Sequence, residues 1–183
     1  YTQMALVSVD QLIVPMMADY SSAEGVKSIF MMLYGKYSSS ALQKYATNII
    51  TFHKQTEKLQ LKLPTIYEFV FNSYTSNQGV ASAFRSVRAE LVDFCYQQYQ
   101  AFPEHFASVD PVPRTCGDWA RDYLSDVKDF HTAGKVATAL GIPLHKLTQK
   151  TCYEMPGGDS VTLPRDSYKQ AVDDVQAFVD KLM

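Results

Sequence analysis

The stretch Gly117–Gly141, GDWARDYLSDVKDFHTAGKVATALG, contains the only tryptophan of the chain, and the fold prediction starts from it. Asp118 is a suitable N-cap, and Gly141 followed by Pro143 is typical of a helix end. At 100° per residue, six apolar side chains fall on one side of a helix: Trp119, Tyr123, Val127, Phe130, Ala137 and Leu140. The stretch therefore predicts one long amphipathic helix.

The flanking segments show similar patterns. Apolar stripes of helical period predict helices over about 40–63, 79–102 and 164–182, and shorter ones in 4–20, from Ser21 or Ser22 to Gly35, and in 143–150. The first of these short helices would be kinked or begun at Pro15. A strand over 4–9 is the alternative there, but it has no obvious partner. Loops are expected over 103–116 and 153–159.

Residues 65–74, TIYEFVFNSY, are ambiguous. Their aromatic and β-branched content favours a strand, whereas the Pro-Thr start and the helical neighbours favour a short helix. We assign a helix. The whole pattern then predicts an all-α fold, a single domain over 1–183 built as a helical bundle or orthogonal array of about six to eight helices.

The composition fits one globular domain. The chain has 183 residues, of which 46% are hydrophobic and 20% charged, and no composition break suggests a second domain. It has no run of 18 apolar residues, so we expect no transmembrane segment. No feature of the sequence indicates a compartment.

Charge is unevenly distributed although the net charge is only −2. Eight basic and two acidic residues lie between Lys27 and Arg88, whereas the segments before and after carry net charges of −3 and −5. The basic segment could be neutralised within the fold by the acidic C-terminal half, or it could bind an acidic partner or a polyanion. We favour neutralisation within the fold slightly.

Four lysines of the predicted helix 40–63 lie opposite its apolar stripe, within an arc of about 80°. They are Lys44, Lys54, Lys58 and Lys62. The stripe itself contains Ile49, Phe52, Thr56, Leu59 and Leu63 among others. A solvated face is the simpler interpretation, and the functional one is a site for a polyanion or an acidic partner.

The motifs that carry catalysis or cofactor binding are missing. The sequence has no nucleophile elbow, phosphate-binding loop or compact metal-ligand spacing, so we expect a non-enzymatic protein without metal or cofactor. His53 and Glu57 lie one helical turn apart, but two ligands do not form a metal site. Cys95 lies in an apolar stripe and is predicted to be buried. Cys116 and Cys152 would form a disulfide if the protein is secreted.

The sequence resembles no family that we can name. We expect a helical binding or assembly subunit that contacts protein partners, including copies of itself, through tyrosine-rich and charge-segregated faces. A coat-like or nucleoprotein-like subunit would use the four lysines most directly, but a sequence pI near 6.1 argues against a dedicated nucleic-acid binder. The alternative is a carrier of a lipid or pigment in the bundle interior.

Overall fold

The structure, a computed structural model, describes residues 2–35, 46–74, 81–128, 130–148, 151–163 and 165–183. These residues form seven α-helices and five strands, which shows that the all-α prediction is wrong. The helices are α1 (Thr2–Leu6), α2 (Tyr20–Tyr34), α3 (Ala46–Lys58), α4 (Ala81–Ala101), α5 (Cys116–Tyr123), α6 (His131–Leu140) and α7 (Arg165–Leu182). The strands are β1 (Gln11–Met16), β2 (Thr65–Tyr74), β3 (Leu124–Lys128), β4 (Cys152–Glu154) and β5 (Ser160–Thr162).

The chain divides into two compact units. The first comprises Tyr1–Val70 and Asn77–Ser125, and the second comprises Phe71–Ser76 and Asp126–Met183. This division leaves the single-domain assignment a prediction, and each unit is described by itself below.

The parallel sheet has the strand order β1-β2-β3, which places β2 in the middle. The assignment of a helix to residues 65–74 is therefore wrong. Threonine, isoleucine, valine and the aromatic residues fit the pleated surface of a strand, and this preference prevailed over the helical neighbours. Ile66 and Phe69 of β2 are fully buried, as expected for a middle strand.

Strand β1 occupies an edge of this sheet, so the predicted kinked helix over 4–20 is also wrong beyond α1. The amide of Thr65 donates to the carbonyl of Asp10, 3.0 Å away, and therefore the backbone groups of Asp10 and of every second residue after it face β2. Pro15 belongs to the other set, which faces away from β2. Its missing N–H thus falls on the open side of the strand, the position where proline is tolerated in a sheet.

The stretch 117–141 is not one helix, because five residues in its middle join the sheet. α5 ends at Tyr123, and the next residue, Leu124, has extended dihedral angles of φ −132° and ψ 132°. β3 pairs with β2, and α6 begins only at His131. Pairing with a strand distant in the sequence outweighed the local helical pattern. The predicted end is confirmed, since Gly141 is the C-cap of α6 with a left-handed φ of 64°.

The start of α5 uses a different cap from the one predicted. Thr115 is the N-cap, and its hydroxyl accepts a hydrogen bond of 3.1 Å from the amide of Asp118. The Asp118 carboxylate accepts in return from the amide of Thr115 at 3.2 Å, which completes a capping box. Hydrogen bonds from the Thr115 side chain and from Arg121 lower the pKa of Asp118 below its usual value.

The second unit has a small apolar core of its own. Ala133, Val136, Leu147 and Leu163 are buried there, and partly buried side chains from α6, the β4–β5 hairpin and α7 pack against them. The hairpin is antiparallel, and its turn contains Gly158 with a φ of 85°. The predicted loop over 153–159 overlaps β4 at Tyr153 and Glu154, and its remaining residues form the hairpin turn.

Helix α3 ends in a Schellman turn earlier than predicted, at Lys58. The amide of Leu61 donates to the carbonyl of Thr56 at 2.9 Å, and the amide of Gln60 donates to the carbonyl of Glu57 at 3.1 Å. Gln60 has a left-handed φ of 52°. Glycine usually occupies this position because a residue with a side chain is strained at positive φ, and here the residue is glutamine. The predicted beginning of this helix at residue 40 lies outside the described residues.

Replacing Gln60 with glycine is expected to raise the free energy of unfolding by about 0.5–1 kcal/mol, because glycine removes the Cβ crowding at positive φ. Urea denaturation followed by circular dichroism measures the change. Gln55→Gly, at an exposed position inside α3, is the matched control and should lower the free energy of unfolding by about 1 kcal/mol. Equal destabilisation by both changes would contradict the turn.

Candidate interaction surface

The interior of the first unit is filled by aromatic rings in mutual contact. Trp119 is fully buried, and its ring centroid lies 6.1 Å from Phe69, 6.0 Å from Tyr96 and 6.1 Å from Tyr123. The Tyr123 hydroxyl donates to the carbonyl of Ala107 at 2.5 Å, and burial raises the pKa of Tyr123. These side chains stabilise the fold through packing, and we find in them no support for a ligand site.

A buried carboxylate on the middle strand was missed by the sequence analysis. Glu68 lies on β2 with no exposed surface, and the hydroxyl of Ser125 on β3 donates a hydrogen bond to its Oε1. A buried acid requires such partners because an ionised group is costly to remove from water. Had residues 65–74 been assigned to a strand, the Glu68 position between buried Ile66 and Val70 on the same face would have indicated this.

The surface with the strongest indication of binding lies on α3 and the turn after it. Three apolar side chains and three lysines are exposed there, and we call this set of residues, which does not all lie on one side of the helix, the α3 surface. Its members are Ile50, Lys54, Lys58, Leu59, Leu61 and Lys62. Ile50 is 54% exposed, Leu59 63% and Leu61 40%. Exposed large apolar side chains that lie close together along the chain are candidates for contacts with a protein partner.

The opposite side of α3 holds this surface in place. Ile49, Phe52 and Thr56 are buried, which confirms that part of the predicted apolar stripe. Leu59 was assigned to the same stripe, but the Schellman turn ends the helix before it and leaves Leu59 exposed. The sequence has no glycine at this turn, so nothing in it indicated that the helix would end at Lys58.

The four predicted lysines do not form one helical row. Lys54 and Lys58 lie on α3 and are exposed, Lys62 is exposed but follows the helix, and Lys44 lies outside the described residues. Glu57 is also exposed on α3, so the α3 surface has a neighbouring carboxylate. The binding role of the four lysines remains a prediction.

Within the part of the chain that the structure describes, Lys54, Lys58 and Lys62 form no ion pair. Two of the ion pairs join Lys27 to Glu24 and Arg121 to Asp118, and the partners in each are three residues apart. Among the described residues, the internal neutralisation that we favoured for the basic segment therefore involves no ion pair of these three lysines.

The histidines and cysteines do not assemble into a recognisable site in the described residues. No group of three or more potential metal ligands is found there. The His53 ring packs below Gly35, where an added Cβ would lie 3.5 Å from its Nε2. Cys95 is buried, as predicted, and burial raises the pKa of its thiol.

Cys116 and Cys152 are free thiols in the structure. Cys116 begins α5 and is partly buried, whereas Cys152 is exposed on β4. They belong to different units, and their pairing in an oxidising compartment remains a prediction.

No protein-family model matches the chain, and no curated protein or solved structure is significantly similar to it. Among the described residues, no helix is both long enough and apolar enough to span a membrane.

Proposed function

We propose that this protein is a non-enzymatic binding or assembly subunit whose α3 surface contacts an acidic, partly apolar protein surface. The observation that carries the proposal is the combination of three exposed apolar side chains with three lysines that lack ion pairs among the described residues. Fully burying one leucine stabilises a complex by about 1.5–3 kcal/mol, whereas an exposed ion pair contributes about 0–1 kcal/mol.

The two kinds of side chain thus have different roles. Ile50, Leu59 and Leu61 supply most of the affinity, and the lysines select the partner and accelerate its approach. A polyanion such as nucleic acid would use the lysines but gain little from three aliphatic side chains, because sequence-independent binding to single strands relies on aromatic stacking. We therefore favour a protein partner.

Native mass spectrometry of the full chain isolated from its natural source tests the proposal. We expect a complex larger than one chain and, in lysine labelling of the same material, reduced modification of Lys54, Lys58 and Lys62 relative to the chain purified alone. Lys135 and Lys146, exposed in the second unit, are the reference positions. A monomer mass, or equal labelling of the α3 surface in both samples, would contradict the proposal.

The same measurement reports the alternatives. A retained lipid or pigment would favour the carrier hypothesis, which no specific contact in the described residues supports. Co-purified nucleic acid that protects the lysines would show that the partner is a polyanion.

A further inference from the structure

An acidic surface on α4 complements the charge of the α3 surface. From residue 89 to residue 113 the chain has four acidic residues and no lysine or arginine. Glu90 and Asp93 lie on α4, Glu104 lies in the 3₁₀ turn Pro103–His105, and Asp110 lies in the following loop. All four are exposed. This segment therefore carries exposed negative charge, which the lysines of an α3 surface would attract.

The two surfaces also match in spacing. Lys54 and Lys58 are four residues apart on α3, which corresponds to a rise of about 6 Å. Glu90 and Asp93 are three residues apart on the exposed side of α4, a rise of about 4.5 Å, and Gln97 and Gln100 continue the same side. Two successive turns with amines can therefore face two successive turns with carboxylates.

Among the described residues, neither surface has its charges paired in ion pairs. Glu90, Asp93, Glu104 and Asp110 form no ion pair there, and neither do the lysines of the α3 surface. The charges are thus largely segregated and complementary, although the exposed Glu57 lies on α3 and the exposed Arg85 lies on α4 one turn before Ala89. Segregation of this kind favours an encounter between two copies in a defined orientation.

We propose that the α3 surface of one copy binds the acidic side of α4, around Glu90 and Asp93, on a second copy. This inference rests on the proposed function and names its partner. The contact joins two different surfaces, so one copy of a bound pair retains an unused acidic side of α4 and the other retains an unused α3 surface. The assembly therefore extends head to tail into a ring or a filament. Ile50, one turn before Lys54 on the same side of α3, is covered at the contact next to Ala89, which is exposed beside the two acids.

Sedimentation velocity with two charge-reversed full-length variants tests this contact. The first variant carries Lys54→Glu and Lys58→Glu, and the second carries Glu90→Lys and Asp93→Lys. We expect the wild-type chain to associate with rising concentration, less so at high salt, and each variant alone to associate at least about tenfold more weakly. An equimolar mixture of the two variants should regain association, because each reversed surface then meets a complementary one.

A control and a neutral pair of variants separate this contact from general effects. Lys135→Glu with Lys169→Glu, at exposed positions in the second unit, makes the same change in net charge and should leave association unchanged. Lys54→Gln with Lys58→Gln removes the lysines with less disturbance of the helix, and its association should also weaken. Circular dichroism confirms that each variant is folded.

A monomeric wild-type chain, unchanged association in either variant, or failure of the mixture to recover would overturn the inference. If the lysines are protected in native material while Glu90→Lys with Asp93→Lys has no effect, the α3 surface binds a different acidic protein, and the proposed function stands without this contact. If native material is monomeric and its lysines are labelled freely, both proposals fall.

Discussion

Replacing Trp119 with alanine is expected to lower the free energy of unfolding by about 3–5 kcal/mol, the range found when a large buried aromatic side chain is truncated. Trp119 is fully buried among the rings of Phe69, Tyr96 and Tyr123. Alanine would leave a cavity that these rigid rings cannot fill by small shifts. Urea denaturation followed by far-UV circular dichroism measures the loss without relying on tryptophan fluorescence.

The control is Trp119→Phe, which retains one ring in the cluster. The indole Nε1 of Trp119 is buried and donates no hydrogen bond within the described residues, so replacement by phenylalanine removes none. We expect this change to cost less than about half as much as alanine. Similar losses for both variants would show that something other than the cavity determines the cost.

Replacing Glu68 with alanine is expected to cost about 2–4 kcal/mol, since a hydrogen bond to a carboxylate is lost and a void opens on the middle strand. The Ser125 hydroxyl would lose the acceptor that joins β3 to β2. The same denaturation experiment reports the change.

Glu68→Gln is the matched control, because its amide oxygen still accepts from Ser125 and its volume is nearly the same. We expect it to cost less than half as much as Glu68→Ala. Should alanine prove no worse than glutamine, the carboxylate would contribute little to the sheet, and its burial would need another explanation.

Local signals predicted the helices better than the sheet. α2 ends at Gly35 and α6 at Gly141, both with left-handed φ, as their sequences indicated. A glycine cap and a 3.6-residue period act within a few residues, so they are visible in the sequence. α4 and α7 were found close to their predicted ranges for the same reason.

The strands depended on partners far along the chain. β3 is only five residues long. The buried residues Tyr123, before the strand, and Val127, within it, are four residues apart, which is also the spacing of a buried helical stripe. Residues 65–74 had the composition of a strand, but without an evident partner the helical neighbours prevailed. If residues 65–74 are assigned to a strand, the segments of β1 and β3 have a strand to pair with, and a parallel sheet can be predicted.

The candidate surface was predicted only in part. Lys54 and Lys58 were correctly placed opposite the buried stripe, because the period of α3 fixes which side chains face water. The exposure of Leu59 depended on a backbone turn at Gln60, a residue that seldom adopts positive φ. The same turn leaves Leu59 and Leu61 exposed close in the chain to Lys58 and Lys62.

Pro15 bears on how any polymer of this subunit could grow. A strand with a complete set of outward amides would accept almost any extended peptide, and stacking of that type is hard to reverse. With one donor missing from the outer side of β1, this edge of the sheet is a poor template for recruiting further strands. Growth would then depend on side-chain contacts, which dilution or salt can dissolve.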